Sequence, residues 1–225
     1  MTGAELLQFV RDKLGHEPND AALFELALTH SSAARGPREH YERLEFLGDR
    51  VLGMVIARAL YDRYPNEPEG FLSRRYNVLV ARETCAENGR EIGIPEVVRL
   101  GKQARSDGAS QSENVVGDVM ESLIGALFID GGLEAAQRFI LDLWEPDLAS
   151  QRRAPQHPKS ALQELAAAKD CKPPVYEVVG RTGAHHAPKF TIRVSVPGLG
   201  EATADGTSKQ EAETEAAEAL LKQLK

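Results

Sequence analysis

Two stretches of this chain set carboxylates at helical spacing inside otherwise apolar runs: Glu42-Arg-Leu-Glu-Phe-Leu-Gly-Asp49 and Asp118-Val-Met-Glu-Ser-Leu-Ile-Gly-Ala-Leu127. Residues three or four apart share a helix face, so Glu45 stands beside Asp49 and Asp118 beside Glu121. Leu44, Phe46, Leu47, Val51 and Leu52 surround the first group, and Met120, Leu123, Ile124, Ala126 and Leu127 the second. Helices of that make-up have little polar face. Four carboxylates converging in such a core repel one another and are costly to bury bare, and a hard divalent cation is the natural remedy. Helix capping, or ion pairs with Arg43, Arg50 or Arg74, is the structural alternative that spacing leaves open.

The rest of the composition narrows the setting. A chain of 225 residues, 42% hydrophobic, has material for one large core or two modest ones. No apolar run reaches the ~18 residues of a membrane span, and Met1-Thr-Gly-Ala-Glu lacks the pattern of a secretory leader. Cys85 and Cys171 are far apart and outside any metal-binding spacing. The expectation is a reducing, cytoplasmic setting with no membrane partner. Of 27 basic and 34 acidic side chains, nine of each lie from residue 156 onward, so the whole net charge of -7 belongs to residues 1–155. A neutral C-terminal part is compatible with RNA where its cations are well placed, and predicts weak, salt-sensitive non-specific binding.

Periodicity divides the chain. Residues 1–148 read as almost wholly helical, with apolar faces over Leu6–Leu14, Ala21–Leu28, Glu42–Tyr64, Leu72–Asn88, Asn114–Phe128 and Leu133–Leu143. Asp20 and Asn114 are candidate N-caps, and Ser106–Ser112 reads as a surface loop. Residues 149–157 are polar and Pro-bearing, a short flexible linker. In residues 158–225, Pro158 opens a helix to Ala168; strands follow at Val175–Val179, Phe190–Val196 and about Gly200–Ala204, then a helix at Ser208–Leu224. The expected fold class is therefore multidomain: an all-helical domain followed by an α-β-β-β-α unit.

The run Glu42-Arg-Leu-Glu-Phe-Leu-Gly-Asp-Arg-Val-Leu-Gly53, with Thr29-His-Ser31 before it and Asp118 to Asp130 after it, resembles the signature of the bacterial ribonuclease III family, in the family's order. The resemblance covers essentially the whole chain. It implies a magnesium-dependent endoribonuclease, a phosphodiester hydrolase that cuts double-stranded RNA to 5′-phosphate and 3′-hydroxyl ends with two-nucleotide 3′ overhangs. It implies that Glu45, Asp49, Asp118 and Glu121 are ligands of two Mg²⁺ ions, with Mn²⁺ as a substitute, and that Glu42 supports cleavage at the subunit interface. On pattern alone Phe46 reads as a core residue; the resemblance instead implies a homodimer in which Phe46 inserts into the partner. Implied substrates are ribosomal RNA precursors and duplex parts of messenger and transfer RNAs. The chain departs from the family's pattern at Arg75-Tyr76-Asn77, which moves a basic position by one, and at Gly101-Lys-Gln-Ala104, which lacks an acidic residue.

The C-terminal unit resembles a double-stranded RNA-binding domain through Pro158-Lys-Ser-Ala-Leu-Gln-Glu164, Gly183-Ala-His-His186 with Phe190, and Gly206-Thr-Ser-Lys-Gln-Glu-Ala212. That likeness implies RNA contacts from Gln163, Glu164, His186 and Lys209, spanning two minor grooves and the major groove between them. Gln163 and Glu164 are otherwise ordinary solvated helix residues, and the His pair a polar turn. Gln210 and Pro188 stand where the family places basic residues, which predicts weaker phosphate affinity; paired domains in a dimer compensate by avidity. Two rival readings remain: a non-catalytic RNA-binding dimer that keeps the fold, and a helical adaptor with a chance acidic cluster, which leaves the C-terminal unit unexplained.

Overall fold

The computed structural model describes residues 2–34, 36, 38–151, 157–184 and 187–224, in two compact units, Met1–Pro155 and Gln156–Lys225. The first is helical. Helix α1 (Gly3–Leu14) opens on a capping box: the Thr2 hydroxyl accepts from the Glu5 N–H, and the Glu5 carboxylate accepts from the Thr2 N–H. Helix α2 (Ala21–Ala27) starts on Asp20, whose carboxylate accepts from the Ala22 N–H. There follow α3 (Glu42–Arg63), α4 (Glu69–Leu79), α5 (Arg82–Glu91), the short α6 (Ile94–Val97) and α7 (Lys102–Ser106), and the long α8 (Glu113–Ser150).

Helices α3 and α8 form the centre of the core. Leu52, Ile56 and Leu60 of the one, and Val116, Val119, Met120, Leu123, Ile124 and Leu127 of the other, are sealed from water. Their backbones nearly touch. A Cβ added at Gly48 would run into the Glu121 carbonyl oxygen, and one at Gly125 into the Leu44 carbonyl oxygen. Glycine at both positions is what allows this approach, and the approach fixes Glu45 opposite Glu121.

Three readings change in the first unit, and in the second the first two strands run longer than the expected 175–179 and 190–196. The continuous helix expected over Leu72–Asn88 breaks at Val80 and Ala81, with Ala81 extended. No Gly or Pro marks the break. One distant and one nearby partner take the carbonyls at the break: the Trp144 indole N–H donates to Leu79 O at 2.8 Å, and the hydroxyl of Thr84, in the first turn of α5, to Val78 O at 2.7 Å. Ser112, not Asn114, precedes α8, and the expected 106–112 loop holds the end of α7 and a 3₁₀ turn at Ala109–Gln111. Helix α8 kinks at Gly132 (φ 75°, ψ -177°) and then runs through Pro146 to Ser150. Burial of Trp144 and Leu148 holds that last segment despite the lost N–H. Gln151 is also buried; residues 152–156, most of the expected linker, lie outside the described residues.

The second unit is α9 (Pro158–Ala168), β1 (Val175–Ala184), β2 (Ala187–Val196), β3 (Gly200–Gly206) and α10 (Lys209–Gln223). Pro158 sits in the first turn of α9, where its missing N–H costs nothing. The strands pair antiparallel in the order β1-β2-β3, with an irregularity in β1 between Val178 and Gly180. Leu162 and Ala166 of α9, with Ala216, Ala217 and Leu220 of α10, bury Val194, Val196 and Ala202 of the sheet. This is the α-β-β-β-α unit expected from the sequence.

Gly48→Ala forces α3 and α8 apart at backbone level. An overpacking penalty of about 3 kcal/mol lowers the melting temperature by about 6–12 °C in a chain of this size. Gly70→Ala, where a Cβ meets nothing within 4 Å, does not lower it. Calorimetry of both variants checks the pair.

Candidate metal centre

The crossing of α3 and α8 gathers Glu45, Asp118 and Glu121, one carboxylate oxygen of each lying within 4.8 Å of the others. All three are partly buried. Burial raises the pKa of each, and Glu121, also facing the charges of Glu45 and Asp118, is pushed up to about 7. Asp118 is further fixed by Tyr41, whose hydroxyl donates to Oδ2 at 3.3 Å. Burial and the charges of Asp118 and Glu45 drive the Tyr41 phenol well above its ordinary value, so it remains a donor.

Tyr41 is itself held by the Thr29-His30-Ser31 segment. Its N–H donates to Thr29 O at 3.0 Å, and its ring meets the His30 imidazole edge-on at 5.7 Å. That segment is tied down in turn: the Arg99 N–H donates to Leu28 O and the His30 N–H to Arg99 O. Tyr41 was missed in the sequence. The signal for it was an aromatic with a polar tip immediately before the acidic helix.

The arrangement suits a hard cation. Mg²⁺ binds oxygens at about 2.1 Å, so ligands on one ion lie up to about 4 Å apart. The three carboxylates need only a small closure to hold one, and burial, with the neighbouring charges at Glu45 and Glu121, makes them costly to keep ionised without it. Asp49, expected with them, lies one turn beyond Glu45, and its carboxylate pairs with Arg50, which also covers the Phe46 ring at 4.7 Å. Glu42 projects from the first turn of α3 with its side chain 62% exposed, 3.7 Å from the His40 imidazole. Phe46 is 64% exposed and not a core residue of this chain.

Among the expected RNA contacts, Gln163, Glu164 and Lys209 are exposed on α9 and at the start of α10. His186 lies outside the described residues. Lys189, the cation after Pro188, pairs with Asp205 at 3.0 Å. Arg75, which carried the shifted basic position, is buried in the first unit. It pairs with Glu67 through two bonds of 2.8 and 2.6 Å, lies 3.7 Å over the Tyr64 ring, and donates to Gln151 O. It ties the end of α8 to α4 and presents nothing to a ligand.

An acidic helical centre suited to a divalent metal, followed by an α-β-β-β-α unit, defines a class that the comparisons resolve. Residues 20–147 match the ribonuclease-III-like family model, and residues 158–224 the double-stranded RNA binding motif. The chain is 56% identical over 221 residues to a ribonuclease 3 of Zymomonas mobilis, covering 98% of this chain and 89% of that one. It is 46% identical to a ribonuclease 3 of Caulobacter vibrioides, covering 93% and 92%. The nuclease domain of ribonuclease III from Campylobacter jejuni superposes with a TM-score of 0.61 at 28% identity, over 64% of this chain and 99% of that one. The chain belongs to the bacterial ribonuclease III family, an endonuclease domain followed by a double-stranded RNA-binding domain.

The raised carboxyls give a signed pH dependence. A group that binds its proton more tightly when folded favours the folded state at low pH and withdraws that support as pH rises through its folded pKa. For metal-free protein, the Glu121 contribution therefore fades between about pH 4.5 and 7. Mg²⁺ at about 10 mM raises the melting temperature by about 2–5 °C at pH 7.5 and by much less at pH 5. Glu121→Gln flattens both responses, as scanning calorimetry with Mg²⁺ or EDTA will read.

Proposed function

We propose that this protein is a magnesium-dependent endoribonuclease that cleaves double-stranded RNA to 5′-phosphate and 3′-hydroxyl ends with two-nucleotide 3′ overhangs. The convergence of Glu45, Asp118 and Glu121 on one face of the α3–α8 crossing carries the reading. Glu45, Asp118 and Glu121 would hold Mg²⁺, which would supply a polarised water and offset charge on the departing 3′-oxygen. The chain's part is positional. Tyr41 holds Asp118 by a hydrogen bond, Gly48 and Gly125 hold the two acidic helices in register, and Asp49, one turn beyond Glu45, would be the fourth ligand if released from Arg50. Glu42, exposed at the edge, is placed for substrate or water.

The second domain recognises the duplex by shape, through Gln163 and Glu164 on α9, Lys209 at the start of α10, and His186. The active form is a homodimer with one centre per subunit. Phe46, Met54 and Tyr61 recur on one exposed face of α3, an apolar stripe that a second copy would cover. In this reading the protein acts in the cytoplasm on ribosomal RNA precursors and on duplex parts of messenger and transfer RNAs.

An end-labelled perfect RNA duplex tests the reaction. With Mg²⁺ the unmodified protein yields staggered 5′-phosphorylated products; EDTA abolishes them, and Glu121→Ala lowers the rate by about a thousandfold. Retention of the duplex without cutting, across Mg²⁺, Mn²⁺ and salt, would assign the chain to non-catalytic RNA binding instead.

A further inference from the structure

Arg82 is the first residue of α5, and helix stability does not account for it, because a cation at a helix N-terminus opposes the dipole. Its place is set from α8. The aliphatic stem crosses Gly117, where an added Cβ would lie 3.2 Å from Arg82 Cγ. At its tip, Nη1 donates to Asn114 Oδ1 at 3.0 Å. Asn114 lies four residues before Asp118 and seven before Glu121, on the same face of α8. The guanidinium thus stands beside the acidic centre on the side of α5, exposed to solvent, and its charge acts on Glu45, Asp118 and Glu121 alike.

The nature of the hold matters. Arg50, Arg75 and Arg99 each meet a carboxylate, on Asp49, Glu67 and Glu25. Arg82 is held by a neutral amide, which fixes its direction without cancelling its charge and occupies one of five N–H donors. Once a divalent ion offsets most of the charge of the three carboxylates, what remains beside them is an oriented, exposed fork of donors. A phosphodiester is the ligand that matches this fork in charge and geometry.

We propose that Arg82 binds a backbone phosphate of the RNA strand presented to the Glu45–Asp118–Glu121 centre, with Asn114 and Gly117 as the parts that aim it. The claim rests on the proposed nuclease reading and adds to it a substrate contact in the endonuclease domain itself, separate from those of the RNA-binding domain.

The test is steady-state cleavage of a labelled duplex by the full chain, the Arg82→Gln, Arg82→Lys and Asn114→Ala variants, over a range of NaCl and Mg²⁺. For Arg82→Gln, kcat/KM falls about tenfold, mostly through KM, and the slope of log KM against log salt becomes shallower by about one unit. Arg82→Lys recovers most of the slope, because it keeps the charge, and Asn114→Ala shows a smaller loss of the same kind. Circular dichroism establishes that each variant is folded. An unchanged KM and salt slope for folded Arg82→Gln would overturn the proposal. So would a shift confined to the half-saturating Mg²⁺ concentration, which would make Arg82 only a counter-charge to the carboxylates. If the unmodified protein does not cut, the nuclease reading fails, and the Arg82 contact is then judged by the same change in salt slope in duplex binding measured by fluorescence anisotropy.

Discussion

The close crossing of α3 and α8 is the constraint on which the rest depends. Gly48 faces the Glu121 carbonyl and Gly125 the Leu44 carbonyl, so each helix offers the other bare backbone at the point where its acidic residues begin. Side chains there would hold the helices at the ordinary separation of about 8–10 Å, and Glu45 would stand apart from Asp118 and Glu121. Leu52, Ile56, Met120, Leu123 and Ile124 supply the burial that pulls the pair together. The same apolar force that stabilises the domain thereby compresses like charges, and crowding at the site follows directly from packing in the core.

That compression is answered on several sides. Tyr41 donates to Asp118, Arg82 and Arg50 lend positive charge to Glu121, and Arg50 holds Asp49 out of the cluster. Each answer is partial, and Glu121 still keeps its proton to about pH 7. A site left with surplus negative charge, oxygen donors and raised pKa values is organised for a divalent cation rather than for its own comfort. The Thr29–Ser31 segment enters this balance through Tyr41 and His30.

Much of this was legible in the residues because it rests on local rules. Helical spacing gave the carboxylate pairs, Asp20 gave the start of α2, and Pro158 the start of α9; apolar alternation gave the three strands. What escaped depends on distant partners. The break between α4 and α5 is stabilised chiefly by Trp144, which takes up the Leu79 carbonyl from 65 residues away, and no Gly or Pro near Val80 announces it. Arg75 read as a displaced surface cation; only the fold shows Glu67, Tyr64 and the Gln151 carbonyl closing around it. The roles of Tyr41 and Arg82 likewise depend on which helix lies opposite, and spacing within one helix cannot supply that. Asp49 has the spacing of a ligand yet turns to its neighbour Arg50, since an adjacent cation offers a half-buried carboxylate an immediate partner.

The central claim is that the α3–α8 crossing is a metal site. The most direct measurement is X-ray diffraction from crystals of the full chain grown with Mn²⁺, collected for its anomalous signal. A metal site there gives a peak among Glu45, Asp118 and Glu121 with Mn–O bonds of about 2.1–2.3 Å. Strong Mn²⁺ peaks elsewhere, with these three carboxylates bare and apart in the same crystal, would contradict it.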